Sequence, residues 1–170
     1  MNEVVKIEVI RMPKTFIVGK EMRYSHVALE KGDNRLPCFW DKCYKENTFA
    51  PLEAQSDYIY NHSHAGVFLD WHLDDNFTYI VGLLMFEGVT VPDEYVIREL
   101  PESDVALLWV KTTSLAETRV VPFETTSAAI HDLSRSFANM KWCADLFHHT
   151  RSVVPDENGE VILDCYIPLD

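Results

Sequence analysis

The chain has 170 residues, of which 47% are hydrophobic, and its 15 Lys and Arg against 27 Asp and Glu give a net charge of −12. This composition excludes a disordered chain, and no apolar run approaches the roughly 20 residues that a membrane-spanning helix needs. A protein this acidic repels nucleic acid on average, and we expect no direct DNA binding because no Lys/Arg cluster offsets the charge. The length fits a single domain, 1–170, with halves of approximately 1–90 and 91–170 that share one core.

The N-terminal segment MNEVVKIEVI lacks the basic start and the long apolar core of a signal peptide. We therefore expect a cytoplasmic protein without membrane association. In that compartment the four cysteines are expected to be reduced, buried and without disulfide partners.

Two strands and a helix are predicted in the first part of the chain. Val4 to Arg11 alternates in polarity, and Thr15 to Arg23 resumes extended structure after a break at Pro13. Asn34 then precedes a stripe of apolar residues at helical spacing, made of Leu36, Phe39, Trp40, Cys43 and Tyr44. This spacing predicts a helix from about Arg35 to Asn47 that lies with its apolar side on a sheet.

The stretch from Gly66 to Phe86 is predicted to be a β-hairpin. Its side chains alternate up to Trp71, the run Asp74 to Asn76 favours a tight turn, and Phe77 to Phe86 is rich in β-branched and aromatic residues. Large side chains occur on both faces of the hairpin, so we expect it inside the sheet and not at an edge.

The second half repeats this order of elements. Strands are predicted at Glu94 to Leu100, Asp104 to Thr112, Asp145 to Arg151 and Val161 to Ile167, with a helix of about 15 residues after Thr125 whose apolar stripe contains Ile130, Leu133, Phe137 and Met140. Short turns between consecutive strands imply antiparallel pairing. Helices that cover an antiparallel sheet make the predicted fold class α+β.

The last strand, VILDCYIPL, resembles the closing strand of the GyrI-like effector-binding domains, which also occur in AraC-type and MerR-type transcription regulators. Further segments resemble the family in the same order along nearly the whole chain: MPKTFIVGK, RLPCFWDKCYKE, DNFTYIVGLLM, Tyr95 to Trp109, and KWCADLF. Each motif is short and apolar, so the resemblance rests on their order and spacing. It implies two pseudo-symmetric strand-helix-strand-strand units that form one antiparallel sheet with two helices on one face. It also implies a ligand cleft between the halves.

The resemblance implies an aromatic pocket with a charged floor. By position, Tyr166 matches the family's tyrosine in the last strand, Tyr79 matches its hairpin tyrosine, and Trp40 matches the aromatic residue of its first helix. The family's buried Glu has no direct equivalent, because one alignment places Asp145 at that position and another places His148 there. Distance to the last strand favours His148, whereas chemistry favours Asp145. We expect the three aromatic residues to face the cleft, with one of these two residues at its floor.

Other polar residues within apolar strands are further candidates. A carboxylate in a dry pocket has a raised pKa and can bind a cation. Asp164 shares a strand face with Tyr166, and for Asp164 a pocket position and a solvent position are both open, whereas Asp70 is expected on the solvent side. The predicted ligand-binding residues are Trp40, Phe68, Tyr79, Trp109, Asp145, Phe147, His148, Asp164 and Tyr166.

No cofactor, metal site or catalytic set is predicted. His62 and His64 share a strand face, and His148 is next to His149, but neither pair completes the three or four ligands of a zinc site. The chain contains no Gly-x-Ser-x-Gly motif and no glycine-rich phosphate loop.

Three functions are compatible with the sequence. The favoured one is a stand-alone domain that binds an amphipathic aromatic or cationic small molecule and acts as an effector sensor or a sequestering protein, so that any role in transcription regulation needs a protein partner. A second is a hydrolase of the same fold that uses Asp145 or His148 as its base. The third, implied by the resemblance, is a protein-binding module that inhibits a partner such as gyrase.

Overall fold

The chain folds into an eight-stranded antiparallel sheet with helices on one face. The computed structural model describes residues 2–71, 75–113, 123–132 and 141–170, and the side chains of 123–126 lie outside the description. The strands are β1 (Glu3–Met12), β2 (Thr15–Ser25), β3 (Ile59–Leu69), β4 (Asn76–Met85), β5 (Val96–Leu100), β6 (Ser103–Thr112), β7 (Trp142–Phe147) and β8 (Val161–Pro168). The helices are α1 (His26–Glu30), α2 (Leu36–Lys45), α3 (Ala50–Glu53) and α4 (Phe123–His131), with a 3₁₀ turn at Ser56–Tyr58.

The strand order makes the two halves pseudo-symmetric. It runs β1-β6-β8-β7-β3-β4-β2-β5, and every neighbouring pair is antiparallel. The unit β2-helices-β3-β4 therefore mirrors the unit β6-α4-β7-β8 across the central pair β3 and β7. Strand β1 lies beside the second unit and β5 beside the first, so the two halves exchange their edge strands. The predicted fold class is confirmed.

Most predicted elements are present, with shifted ends. The hairpin of β3 and β4 lies inside the sheet as predicted, and α2 covers most of the predicted first helix. One predicted strand was displaced, because β7 begins at Trp142 and ends at Phe147 instead of running from Asp145 to Arg151. The second predicted helix is described only as α4, and its stripe beyond Ile130 falls on residues 133–140, outside the described residues.

Helix α2 joins the sheet through the apolar stripe that its sequence predicts. Its first backbone N–H donors are free of helical partners, and Asn34 Oδ1 accepts one of them, from Leu36 N, at 3.1 Å. Leu36, Trp40 and Cys43 are buried against the sheet. Ile130 of α4 belongs to the same core cluster, so α2 and α4 cover one face, which we call the helix face.

The sheet curls, because two short connections join strands that lie far apart in the strand order. β1 leads into β2 through Pro13 and Lys14, and β5 leads into β6 through Pro101 and Glu102. In a flat sheet each of these pairs is six strand spacings apart, roughly 29 Å, whereas such a connection spans at most about 11 Å. The two ends of the sheet must therefore approach each other.

The curl gives the face opposite the helices a core of its own. This second cluster, which includes Met12, Ile17, Val67, Leu100 and Tyr166, draws on strands from both halves. Its members are buried although the described helices pack on the other side. We call this side the enclosed face.

Two observations concern the expected environment of the protein. None of the described helices has the length and apolar composition that crossing a membrane requires. All four cysteines are free, and Cys43 and Cys165 are buried as expected, but Cys38 is exposed because it lies on the solvent side of α2.

Candidate functional site

Asp145 is a carboxylate buried at the centre of the sheet. It lies on β7 between Gly66 of β3 and Cys165 of β8, and its residue is only 7% exposed. Its side chain points to the helix face, where Cys165 Sγ donates to its Oδ1 across 3.5 Å. Among the described residues this thiol is its one hydrogen-bond partner, and no described cation forms an ion pair with it. A thiol is a weak donor, so the charged form of Asp145 has little compensation.

Burial changes the protonation of this carboxyl. Desolvation raises the pKa of Asp145 to about 7, and the hydrogen bond from Cys165 opposes this shift. Burial also raises the pKa of the Cys143 and Cys165 thiols, and the negative charge of Asp145 raises both further. Near neutral pH, Asp145 is therefore poised between its neutral and charged forms, while both thiols stay protonated.

Aromatic rings surround the same part of the helix face. Trp40 Nε1 donates to Tyr79 Oη at 2.8 Å, which ties α2 to β4. The ring of Phe68 lies 4.7 Å from that of Tyr79, and the ring of Phe147 lies 4.8 Å from that of Trp40 in an edge-on arrangement. Phe147 is two residues from Asp145 on the same strand face. Four predicted aromatic residues and the predicted carboxylate thus lie together on the helix face.

Gly66 makes this arrangement possible. It pairs with Asp145 in the sheet, and a Cβ at this position would lie 2.0 Å from Tyr79 Oη and 3.0 Å from the Trp40 ring. The tyrosine hydroxyl therefore occupies the space that a side chain would take, next to the strand position of Asp145.

Three other predicted residues lie on the enclosed face. Trp109 and Asp164 are cross-strand partners, and Arg151 donates from Nε to Asp164 Oδ1 at 3.1 Å and forms a second contact through its terminal nitrogen. Burial raises the pKa of Asp164, and Arg151 opposes this shift. The guanidinium of Arg151 and the ammonium of Lys6 lie 4.5 Å and 4.4 Å from the Trp109 ring. Asp164 is therefore buried and already paired.

Tyr166 also lies on the enclosed face, and His148 follows β7. Asn61 Nδ2 donates to Tyr166 Oη at 3.2 Å, and burial, followed by the nearby Tyr60, raises the pKa of Tyr166 to about 12. His148 Nδ1 accepts from the backbone N–H of Thr150 at 3.2 Å, and burial lowers the pKa of its ring. His148 thus has a local role in the turn after β7.

The position of Asp70 differs from the one expected from the sequence. It was expected on the solvent side of its strand, but it is 9% exposed and receives bonds from Arg98 at 2.7 and 3.0 Å and from Thr78 at 2.7 Å. Its backbone has a φ of 66°, which ends β3 and breaks the alternation on which the expectation depended. The hydrogen bonds from Arg98 are the main reason that the pKa of Asp70 falls to about 2.

His64, one of the histidines that suggested a metal, is engaged by neighbouring side chains. His64 is held between Tyr44 Oη, 3.0 Å from its Nδ1, and Glu53 Oε1, 3.2 Å from its Nε2. Its ring stacks on Phe49 at 3.7 Å, and burial lowers its pKa. Across the part of the chain that the structure describes, no three His, Cys, Asp or Glu side chains are grouped to hold a metal ion.

Comparisons with known proteins show similarity in structure but not in sequence. No protein-family model matches the chain, and no curated protein matches it. Similar solved structures include a candidate bacterial transcription regulation protein from Staphylococcus aureus MU50, with 15% identity, 97% of this chain and 98% of that chain covered, and a TM-score of 0.63. SAV2435 bound to tetraphenylphosphonium has 12% identity, 98% and 94% coverage, and a TM-score of 0.65. The C-terminal domain of EcmrR has 7% identity, 97% coverage of both chains, and a TM-score of 0.52.

The chain shares the fold of these solved structures, which agrees with the fold that the resemblance to the GyrI-like effector-binding domains predicted. At these identities the similarity shows the fold alone. Within this fold, eight of the nine predicted residues fall into two groups on opposite faces of the sheet, and His148 belongs to neither group. Trp40, Phe68, Tyr79, Asp145 and Phe147 lie together on the helix face, whereas Trp109, Asp164 and Tyr166 lie on the enclosed face and His148 lies in the turn after β7.

Sequence reasoning missed three residues that shape these two groups. Gly66 was recognised only as the start of the hairpin, although its lack of a side chain admits Tyr79. Cys165 was treated as a small hydrophobic residue, yet its thiol bonds to Asp145. Arg151 neutralises Asp164, and nothing in its sequence context indicates this partner.

Proposed function

We propose that this protein binds a small cationic aromatic molecule on the helix face, with Asp145 as the counter-charge, and that it acts as an effector sensor or a sequestering protein. The observation that carries the proposal is the burial of Asp145 without a cationic partner among the described residues. A buried carboxylate is costly unless it is paired or protonated. A bound cation would supply the missing partner.

The surrounding rings suit the same class of ligand. Phe68, Tyr79, Trp40 and Phe147 offer faces and edges for stacking, and each aromatic or cation–π contact adds about 0.5–2 kcal/mol beyond the burial of area. A neutral planar molecule would gain the stacking but not the ion pair. Asp145 therefore accounts for selectivity, and the rings account for affinity.

The solved structures of the same fold support this class of ligand. SAV2435 was solved with tetraphenylphosphonium, a cation that carries four aromatic rings. The staphylococcal protein, described as a transcription regulation protein, is consistent with a role in effector sensing.

Binding requires a local movement, because Asp145, Trp40 and Tyr79 are all buried. Helix α2 is held over the site by the bond between Trp40 and Tyr79. A ligand reaches Asp145 only when part of the covering chain moves outward. We therefore expect binding to break the Trp40–Tyr79 bond and to change tryptophan fluorescence.

The test is a fluorescence titration with tetraphenylphosphonium and with two probes of related shape, the neutral triphenylphosphine oxide and the anionic tetraphenylborate. We expect the cation to bind with micromolar affinity, on the order of −8 kcal/mol. Asp145→Asn should lower the affinity for the cation at least tenfold and leave the affinity for the neutral probe unchanged. The matched control is Asp57→Asn, which removes one carboxylate from an exposed position.

The pH dependence gives a second readout. Because the pKa of Asp145 is about 7, cation affinity should rise with pH up to about 7 and level off above it. The Asp145→Asn variant should lose this dependence. Equal losses for the cation and the neutral probe, or no binding by any of the three, would contradict the proposal.

A further inference from the structure

The enclosed face opens into a cleft of about 430 Å³ at one end of the sheet. Its floor contains Leu69 and Trp142, which are cross-strand partners at the end of the central strand pair. Leu169 and the β5–β6 connection at Pro101 form its sides. This volume lies within the range of small-molecule sites. Trp142 and Asp145 alternate to opposite faces of β7, so the cleft is separate from the site proposed around Asp145.

Ser103 contributes a polar group to the wall of the cleft. Its Oγ is buried and forms no hydrogen bond with any described residue. Ser103 is two residues from Val105 on β6, so its side chain points to the enclosed face. A buried hydroxyl without a partner is unfavourable, and its oxygen has almost no accessible surface, so a ligand atom bonds to it only after the side chains around it shift.

Arg98 presents a fixed guanidinium to the same cleft. Its two terminal nitrogens bond Asp70, which is held in turn by Thr78. The Arg98 side chain is 41% exposed and that of Asp70 only 12%, so Arg98 is the more accessible member of this ion pair. Three of the five N–H groups of Arg98 take no part in the two bonds to Asp70.

The charged residues that line the cleft, Asp70, Arg98, Glu99 and Lys141, balance formally, so their placement decides which charge a ligand meets. Glu21 interacts electrostatically with Arg98, and Arg23 lies 3.8 Å from Asp70, so these two offset each other. Glu99 lines the cleft but alternates with Arg98 and Leu100, so its carboxylate points to the other side of β5. Lys141 lies at the rim and makes no ion pair with any described residue.

We propose that this cleft is a second ligand site, which takes a small aromatic carboxylate. The ring of the ligand lies against Leu69 and Trp142. Its carboxylate accepts from the hydroxyl of Ser103 and faces Lys141 and Arg98. A planar carboxylate matches the planar guanidinium, and the site thus selects the opposite charge from the site around Asp145.

Calorimetric titration with 2-naphthoate tests the proposal, with 2-naphthamide and 2-naphthylmethylammonium as neutral and cationic analogues. We expect 2-naphthoate to bind and both analogues to bind about tenfold more weakly or not at all. Lys141→Gln should weaken 2-naphthoate several-fold, whereas Lys45→Gln, an exposed lysine on α2, should not. Equal affinity for the three analogues, or no effect of Lys141→Gln, would overturn the proposal.

Ser103→Ala separates a binding role from a structural one. Because the hydroxyl has no described partner, its removal should leave the melting temperature unchanged or raise it while 2-naphthoate binding weakens. Asp145→Asn should leave 2-naphthoate binding unchanged. A loss of 2-naphthoate binding in Asp145→Asn would place both ligands in one site and refute a second one.

Discussion

Replacing Asp145 with Asn should stabilise the unliganded protein in a pH-dependent way. The pKa of Asp145 is about 7 in the folded protein and about 3.8 in an exposed carboxyl. Between these values the unfolded chain releases a proton that the folded protein keeps, so the carboxyl destabilises the fold progressively as pH rises. A difference of about three pKa units corresponds to ~4 kcal/mol, which is reached near pH 7 and stays constant above it.

The variant retains a polar group at this position, so the net gain is smaller. A buried amide with few partners costs about 1–3 kcal/mol. At pH 8 we therefore expect Asp145→Asn to be more stable than the parent protein by roughly 1–3 kcal/mol. At pH 4, where the parent carboxyl is protonated in the folded state, the variant should have no such advantage.

Urea unfolding measured from pH 4 to pH 8 gives this free-energy difference directly. Asp57→Asn serves as the control, because Asp57 is exposed and the variant carries the same change in net charge. If the stability difference between Asp145→Asn and the parent protein is independent of pH, the pKa of Asp145 is not raised in the folded protein. If the variant is more stable and also loses cation binding, Asp145 lowers the stability of the unliganded protein and is required for binding the cation.

Three further predictions concern other parts of the chain. Asp70→Asn should destabilise the protein by about 2 kcal/mol at pH 7, because the lowered pKa of Asp70 contributes stability above pH 4 that is lost as pH falls towards 2. Urea unfolding of the variant and the parent protein measures this stability difference. If the difference does not shrink between pH 4 and pH 2, the pairing of Asp70 with Arg98 does not have the stabilising role given to it. Gly66→Ala should cost about 1–3 kcal/mol in the same assay, because the new Cβ clashes with Tyr79 Oη, and unchanged stability would show that the tyrosine moves freely. The net charge of −12 predicts no DNA binding at physiological salt, so a salt-sensitive gel shift at micromolar protein would refute that expectation.

The sequence alone determined the elements and their order. The stripe containing Leu36, Trp40 and Cys43 marked α2, and the alternation around an Asp-rich turn marked the hairpin of β3 and β4. Both signals are local, because helical spacing and strand alternation depend only on neighbours in the chain. For the same reason the sequence correctly placed Asp164 and Tyr166 on one face, since they are two residues apart on a single strand.

Tertiary structure decided which side chains from different strands lie on the same face of the sheet at the candidate site. Asp145 pairs with Cys165 and not with Tyr166, so the carboxylate lies on the helix face and the tyrosine on the enclosed face. A shift of one residue in register would have reversed this, and register between β7 and β8 depends on pairing across the whole sheet. The burial of Asp70 likewise depends on Arg98 from a distant strand. Alternation determines which side chains of one strand lie on the same face. Which side chains of neighbouring strands lie together is determined only when the strands pair in the sheet.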